Sequence, residues 1–316
     1  MPVETGYRAR VHHSLPACQL TRRKLLTVAT AALSTTGCGD VLEQRTTLDG
    51  PDPERLLVEL SDRLSPDNRY RDPDAEERST ARRAARSLIA DHGSANERDA
   101  LFGDLGFVVH RGIDPATGRP FDLYLATGSD DRSWGAVSVD RSGIPGVVIE
   151  VPHPRFDINT EKLGLALHRR VPGSVLLVAG AHRHAADGDA DVTHNNRSLF
   201  HVLAVELGRS GLYQIQLHGF ADRNLPDSDA VVSTGSAPAS DGAYRIAAAI
   251  SDIGLLTCRA WAGRCGQLEG KTNEQGRSTA KFDGVFIHLE LSWSVRSDEE
   301  TWRRVIAVLA DRLSIV

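Results

Sequence analysis

VVIEVPHPRFDINTE (residues 147–161), AGAHRHAADGDADVTHNNRSLF (179–200) and YQIQLHGFAD (213–222) decide how this chain is read. Most of the 12 histidines lie between Val147 and Asp222: His153, His168, His182, His184, His194, His201 and His218. His153 follows an apolar run, Val147 to Val151, that reads as a buried strand. His218 follows a second, Leu212 to Leu217. In α/β sheets ligands gather beyond the carboxyl ends of strands. A histidine at each of two such ends brings two imidazoles within reach of one metal ion. Asp157, four residues after His153, supplies a carboxylate as third ligand. It also suits the N-cap of a helix starting near Thr160.

Outward from this stretch, strand and helix patterns alternate. SVLLVAG (174–180), AVVSTG (230–235) and VFIHLELSW (285–293) read as strands. TEKLGLALHRRV (160–171), RSLFHVLAVELGRS (197–210), DGAYRIAAAISDIG (241–254) and the C-terminal DEETWRRVIAVLADRLSIV read as helices, the last with Ser297 as N-cap and Glu300 completing a capping box. Alternation of this kind predicts an α/β fold with a mainly parallel or mixed central sheet covered by helices on both faces. Before it, FVVHRG, FDLYLATG and SWGAVSVD predict edge strands or hairpins. Further upstream, residues 53–93 predict two helices. Pro53-Glu54 opens the first, and Gly93 ends the second, a charged one expected on the surface. A short helix, ERDALFGDL, follows.

With 316 residues, 41% of them hydrophobic and 25% charged, the chain suits a soluble protein with a sizeable core. Its net charge of -5 and its evenly spread arginines give no nucleic-acid partner. Residues 21–38, TRRKLLTVATAALSTTGC, place Arg22-Arg23 before an uncharged apolar segment too short to span a bilayer. The pattern resembles a twin-arginine export signal. Cys38 resembles the lipid-attachment cysteine of a lipoprotein, although Thr35 stands where a large aliphatic residue is preferred. Membrane contact is expected only through that N-terminal anchor, and the location is periplasm or cell envelope. Cys258 and Cys265 are placed to form a local disulfide in an oxidising compartment. The expected organisation is an export signal (1–38), a tether (39–52), N-terminal helices and edge strands (53–146) and an α/β core (147–316), with 53–316 as one domain.

Glu290, in HLELS of the last strand, adds a second carboxylate able to face the same crevice. Two imidazoles and one carboxylate leave a metal position open for water, and a free carboxylate beside it can take a proton from that water. Here the chain resembles a family. VPHPRFDINTE looks like the His-containing turn of the zinc carboxypeptidase-like hydrolases, closest to their poly-γ-glutamate hydrolase group, whose turn has the form PHGGxIExGT. His218-Gly219 matches that group's strand-ending HG. TNEQGRSTAKFDGVFIHLELSWSVR is similar to its Asn-Arg-Gly-rich loop and GVQLELSxxLR. The resemblance spans residues 147–297. It implies one zinc ion per chain, held by His153, Asp157 and His218, with Glu290 as general base. The turn is one residue shorter than the group's, with proline and arginine for glycine and Asp for Glu, so Glu161 is the reserve ligand.

Asn196-Arg197, opening a helix, is similar to the Asn-Arg pair that binds substrate carboxylate in the wider fold. An arginine forks onto a carboxylate through two parallel hydrogen bonds. Pairing of Arg197 with a local aspartate is the structural alternative. Arg183 supplies a second cation or polarises the scissile carbonyl. His182, His184 and His194, on a loop rich in Asp and Ala, are expected to be solvated or to lie at the rim of the site. The implied activity is hydrolysis of an amide bond beside a carboxylate in a γ-glutamyl, peptide or cell-wall peptide substrate. The alternative is a non-catalytic, envelope-anchored binding protein that keeps the pocket. No GxSxG elbow supports a serine hydrolase.

A reporter fused after residue 45 is expected to leave the cytoplasm. Replacing Arg22 and Arg23 together by lysine should retain it there, and export of that double variant at the wild-type level would refute the twin-arginine signal.

Overall fold

Strands form where β-branched and aromatic residues run between Gly, Pro and Asp, and helices where apolar residues recur three and four apart. A computed structural model describes residues 50–89, 94–128 and 130–314. Its strands are β1 (Phe107–Ile113), β2 (Pro120–Ala126), β3 (Ala136–Asp140), β4 (Val147–Val151), β5 (Val175–Val178), β6 (Tyr213–Phe220), β7 (Ala230–Ser233), β8 (Thr257–Arg259) and β9 (Phe286–Ser292). Its helices are α1 (Pro53–Asp62), α2 (Ala75–Ile89), α3 (Ala95–Asp104), α4 (Thr160–Arg170), α5 (Leu199–Arg209), α6 (Asp241–Asp252), α7 (Glu274–Thr279), α8 (Trp293–Ser297) and α9 (Glu299–Leu313). The export signal, Cys18, Cys38, nearly all of the tether and the helix stop at Gly93 lie outside the described residues. The described residues fall in one compact unit. Among them no helix is long and apolar enough to cross a membrane.

The strands make one mixed nine-stranded sheet in the order β1-β2-β3-β5-β4-β6-β9-β7-β8. β1, β2 and β3 are an antiparallel meander joined antiparallel to β5. β5, β4, β6 and β9 run parallel. β7 returns antiparallel to β9 and carries the short β8 parallel to it. The α/β class and the meander agree with the sequence pattern. β8 is an addition: it falls in the segment that contains Cys258, bonded to Cys265.

Side chains alternate across a strand, and here the alternation separates two environments. Val147, Ile149 and Val151 of β4, Ile215 and Leu217 of β6, and Ile287, Leu289 and Leu291 of β9 share one apolar layer with α1, α4, α6 and α9. The opposite face is apolar under α2, α3 and α5, where Val148, Val175 and Leu177 pack. Farther along that face, Glu150, Gln214, Gln216, His218, His288 and Glu290 are buried polar groups. The core therefore insulates one side of the central strands while the other side carries these buried polar groups.

Two local expectations are corrected. The charged helix α2 is no bare surface helix: Ala81, Ala84, Ala85 and Leu88 are buried in the layer that includes α5. Alanines escape a search for large apolar residues, yet they let two helices approach closely. The N-cap of α9 is Asp298, whose side chain accepts from Thr301 N; Ser297 instead ends α8.

His168 of α4 is a structural histidine. It is fully enclosed, with Nε2 3.2 Å from Ser138 Oγ and Nδ1 2.7 Å from Ser174 Oγ. Burial pushes its pKa down to about 4. The folded protein therefore binds fewer protons at this position than the unfolded chain, whose histidines titrate near 6.5. Its contribution is intact above about pH 6.5 and is lost as pH falls toward 4. The full effect is on the order of 3 kcal/mol. Urea unfolding of wild type and His168→Asn between these limits should show their stabilities converging as the solution is acidified. A constant difference would refute the linkage.

Candidate metal centre

The turn after β4 is built by its own backbone. The carbonyl of His153 accepts from Phe156 N at 3.1 Å and from Asp157 N at 2.8 Å, so the chain doubles back beside the imidazole. Asn159, at φ 74°, then turns it into α4 and is the N-cap residue. Asp157 holds the helix start through its carbonyl, which accepts from Thr160 Oγ1 at 2.7 Å. Its side chain points elsewhere. Asp157 Oδ2 lies 3.4 Å from His153 Nδ1 and 3.1 Å from His218 Nδ1. His153, Asp157 and His218 are 1%, 3% and 5% exposed. Their ligand atoms lie within 4.8 Å of one another.

The parallel register of β6 and β9 sets His218 directly beside Glu290. His288, two residues before Glu290 on the same strand face, stacks on His218 at a centroid distance of 4.5 Å. His218, His288 and Glu290 form a second converging donor group. His288 Nδ1 and Glu290 Oε2 are buried with no hydrogen-bond partner. All of these groups line one pocket of about 760 Å³.

Two glycines make room for this wall. A Cβ on Gly219 would run into the Arg296 guanidinium, so the residue after His218 has to be glycine. Arg296 is buried and binds the carbonyls of Leu291, Phe220 and Ile158, tying β9, β6 and the turn after β4 together. Gly270, at φ 61°, passes so close to His288 that a Cβ would meet its ring at 2.7 Å.

Burial alone would raise the Asp157 pKa, but hydrogen bonds and charge from both histidines outweigh it and hold it below the usual carboxylate range. The histidines diverge. Burial lowers both, yet His153 ends up raised because the carboxylates of Asp157 and Asp191 both bond to it, whereas His218 has a single carboxylate partner, Asp157, and stays lowered. Burial, reinforced by the Asp157 charge, pushes Glu290 well above the ordinary glutamate value. Two imidazoles and a desolvated carboxylate with converging atoms fit a divalent metal such as zinc, because these are zinc's usual ligand types. The orphaned Glu290 oxygen fits a base beside it.

The other residues singled out from the sequence divide. Arg183 is in the pocket, ion-paired with Asp191 and 4.9 Å from the Phe156 ring centroid. Arg197 is not: its Nε pairs with Asp72 Oδ2 at 2.9 Å, and neither it nor Asn196 lines the pocket. Glu161 faces a second groove, lined by α1, α4 and α9, and joins neither donor group. His182 and His184 pack against Phe156, while His194 lines the pocket and bonds to Asp191 at 3.2 Å. Sequence reasoning missed Asp191. Its Oδ1 lies 2.9 Å from His153 Nε2, where a partner would orient the ring if His153 holds a metal. Its only signal was an aspartate on the loop that already held three histidines.

No family model and no curated protein matches the sequence. Among solved structures, a zinc-free YNDL chain is 16% identical, with 56% of this chain and 88% of that one covered at a TM-score of 0.40. A candidate carboxypeptidase A from Shewanella denitrificans is 15% identical over 70% of this chain and 69% of its own, with a TM-score of 0.40. The LapA aminopeptidase of Legionella pneumophila is 13% identical over 90% and 80%, with a TM-score of 0.37. Likenesses this distant decide nothing about the site, which rests on the geometry above.

Elemental analysis of purified protein is expected to find about one divalent metal per chain, since the primary donor set is a single one. His153→Ala and His218→Ala should each remove most of it. Stoichiometric metal in the His218→Ala protein would refute the assignment.

Proposed function

We propose that this chain is an exported, zinc-dependent hydrolase of an amide bond adjacent to a carboxylate. The observation that supports it most is the convergence of His153, Asp157 and His218, with the unpartnered carboxylate of Glu290 beside His218 in register. The γ-glutamyl, peptide or cell-wall peptide substrate class rests on the sequence resemblance to the poly-γ-glutamate hydrolases. Export rests on Arg22-Arg23 and gains support from the Cys258–Cys265 disulfide, a bond suited to an oxidising compartment. Lipid attachment at Cys38 rests on the sequence alone.

Zinc, when bound, polarises the scissile carbonyl and acidifies water. The protein's residues do the rest. Asp191 and Asp157 orient His153, so that substrate binding meets a site already in place. Glu290, desolvated and raised in basicity, takes a proton from water and returns it to the departing amine. Arg183 is positioned at the pocket wall to donate to developing negative charge. Since Arg197 is engaged with Asp72 outside the pocket, the substrate carboxylate needs another cation. Arg223 lines the pocket, is exposed, and forms no ion pair among the described residues. We assign it that role.

Glu290→Gln keeps the shape and removes the basic oxygen. Turnover of a γ-glutamyl or cell-wall peptide should fall by about 100- to 10,000-fold, with metal content unchanged. Hydrolysis at the wild-type rate would place the base elsewhere. Metal-loaded wild-type protein that binds such peptides without cleaving them would instead be the envelope-anchored binding protein.

A further inference from the structure

Beneath the metal centre lies a closed set of hydrogen bonds whose direction can be read without ambiguity. It starts from a backbone group. Gly276 N can only donate, and it donates to Asn273 Oδ1 at 3.0 Å. The other end of that amide, Nδ2, therefore faces Gln216 and donates to Gln216 Oε1 at 2.6 Å. On its other side, Gln216 Nε2 donates to Glu150 Oε2 at 2.8 Å. Glu150 Oε1 is taken by Gln214 Nε2 at 2.8 Å. Gln214 is fixed in turn, because the same Nε2 donates to the backbone carbonyl of Ala204 at 3.3 Å.

Gln216 Oε1 is thus an acceptor from two directions, and it sits 2.7 Å from His218 Nε2. An acceptor at that distance requires a proton on Nε2. We infer that Gln216, locked by Glu150 on one side and Asn273 on the other, is a positioning residue that keeps the proton of His218 on Nε2 and leaves Nδ1 bare for the metal. Without the lock, the opposite tautomer is favoured, because Nδ1–H would donate to Asp157 Oδ2, 3.1 Å away. That tautomer blocks the ligand atom. The inference rests on the metal-site assignment for its purpose, but the tautomer itself belongs to the protein.

Burial explains why the lock is needed. Glu150, Gln214, Gln216 and Gln275 are 0% exposed, so no water is at hand to satisfy a turned amide. A reversed Gln216 would set its NH₂ against Asn273 Nδ2 and its oxygen against the Glu150 carboxylate, two unmade bonds in a site that penalises each.

The test uses Gln216→Leu and the exchange variant Glu150→Gln/Gln216→Glu. In the exchange, the amide now at position 150 accepts from Gln214 and donates to the carboxylate now at position 216. That carboxylate still accepts from His218 and Asn273, so His218 and Asn273 keep the partner they had. Zinc affinity of the full chain is read by chelator competition, and the nitrogen bearing the His218 proton by ¹⁵N NMR of metal-free protein. Loss of an outer partner of a metal-ligating histidine typically weakens affinity by about 10- to 100-fold. Gln216→Leu should show that loss, with the proton moved to Nδ1. The exchange variant should return close to wild-type affinity, with the proton on Nε2. Wild-type affinity and an Nε2 proton in Gln216→Leu would overturn the inference. So would an exchange variant, folded by circular dichroism, that binds as weakly as Gln216→Leu. If Gln216→Leu does not fold, the exchange variant decides alone. If wild type takes up no zinc, the metal assignment fails, and the NMR arm still decides the tautomer.

Discussion

A carboxylate buried between two imidazoles constrains everything around it. Asp157 is 3% exposed, and an ionised group that far from water is costly unless opposite charge or hydrogen-bond donors surround it. Its two histidines supply donors only if they are protonated at Nδ1, or else they present lone pairs and the carboxylate needs a cation. Their other nitrogens have partners already: Asp191 for His153 and Gln216 for His218. Both partners accept, which places a proton at each Nε2. Each Nδ1 then meets Asp157 either with a second proton, as a cation, or with a lone pair, and a divalent metal ion in the site would stand in for those second protons.

The sheet makes the arrangement possible in structural terms. On β6 the sequence Gln-Ile-Gln-Leu-His alternates strictly, and β9 repeats the pattern with Ile-His-Leu-Glu-Leu-Ser. One face of these strands joins the continuous apolar layer under α4, α6 and α9. The other faces a polar interior in which the described side chains mostly satisfy one another. The same strands therefore serve as core and as wall of the candidate site. A one-residue slip between β6 and β9 would exchange Glu290 for a leucine beside His218, so register here is a functional property as well as a structural one.

Much of this was visible in the residues. A histidine after a strand is more often simply hydrogen-bonded, and His153 stands out only together with Asp157, His218 at a second apolar strand, and Glu290 within a third. Asp157 was ambiguous between cap and ligand until the backbone showed that Asn159 occupies the cap. The carboxylate-binding pair failed for a different reason. Arg197 has the right type and setting, but its direction depends on Asp72, over a hundred residues earlier, and sequence holds no signal for such a pairing. Gln216 was passed over because a glutamine within an apolar run reads as a tolerated polar residue. Its role appears only when Glu150, Asn273 and His218 meet around it from three separate segments.

Long-range ties of that kind also decide how rigid the pocket wall is. The loop from Gly266 to Asn273 follows the Cys258–Cys265 bond directly, and Cys265 N donates to Glu269 Oε1 at 2.9 Å. Glu269 pairs with Lys271, and its carbonyl accepts from Ser233 Oγ at 2.6 Å on β7. Gly270 then presses on His288, and Asn273 closes onto Gln216. The loop is thus pinned at one end by a covalent bond and at the other by the Asn273 amide bonded to Gln216. Beyond the short 3-10 helix Gly266–Glu269 the segment has no regular structure, and loops of this kind ordinarily move more than the elements they connect. Here the disulfide, the Ser233 bond to the Glu269 carbonyl and the Asn273 bond to Gln216 fasten it against the sheet on which the donor atoms of the candidate site converge.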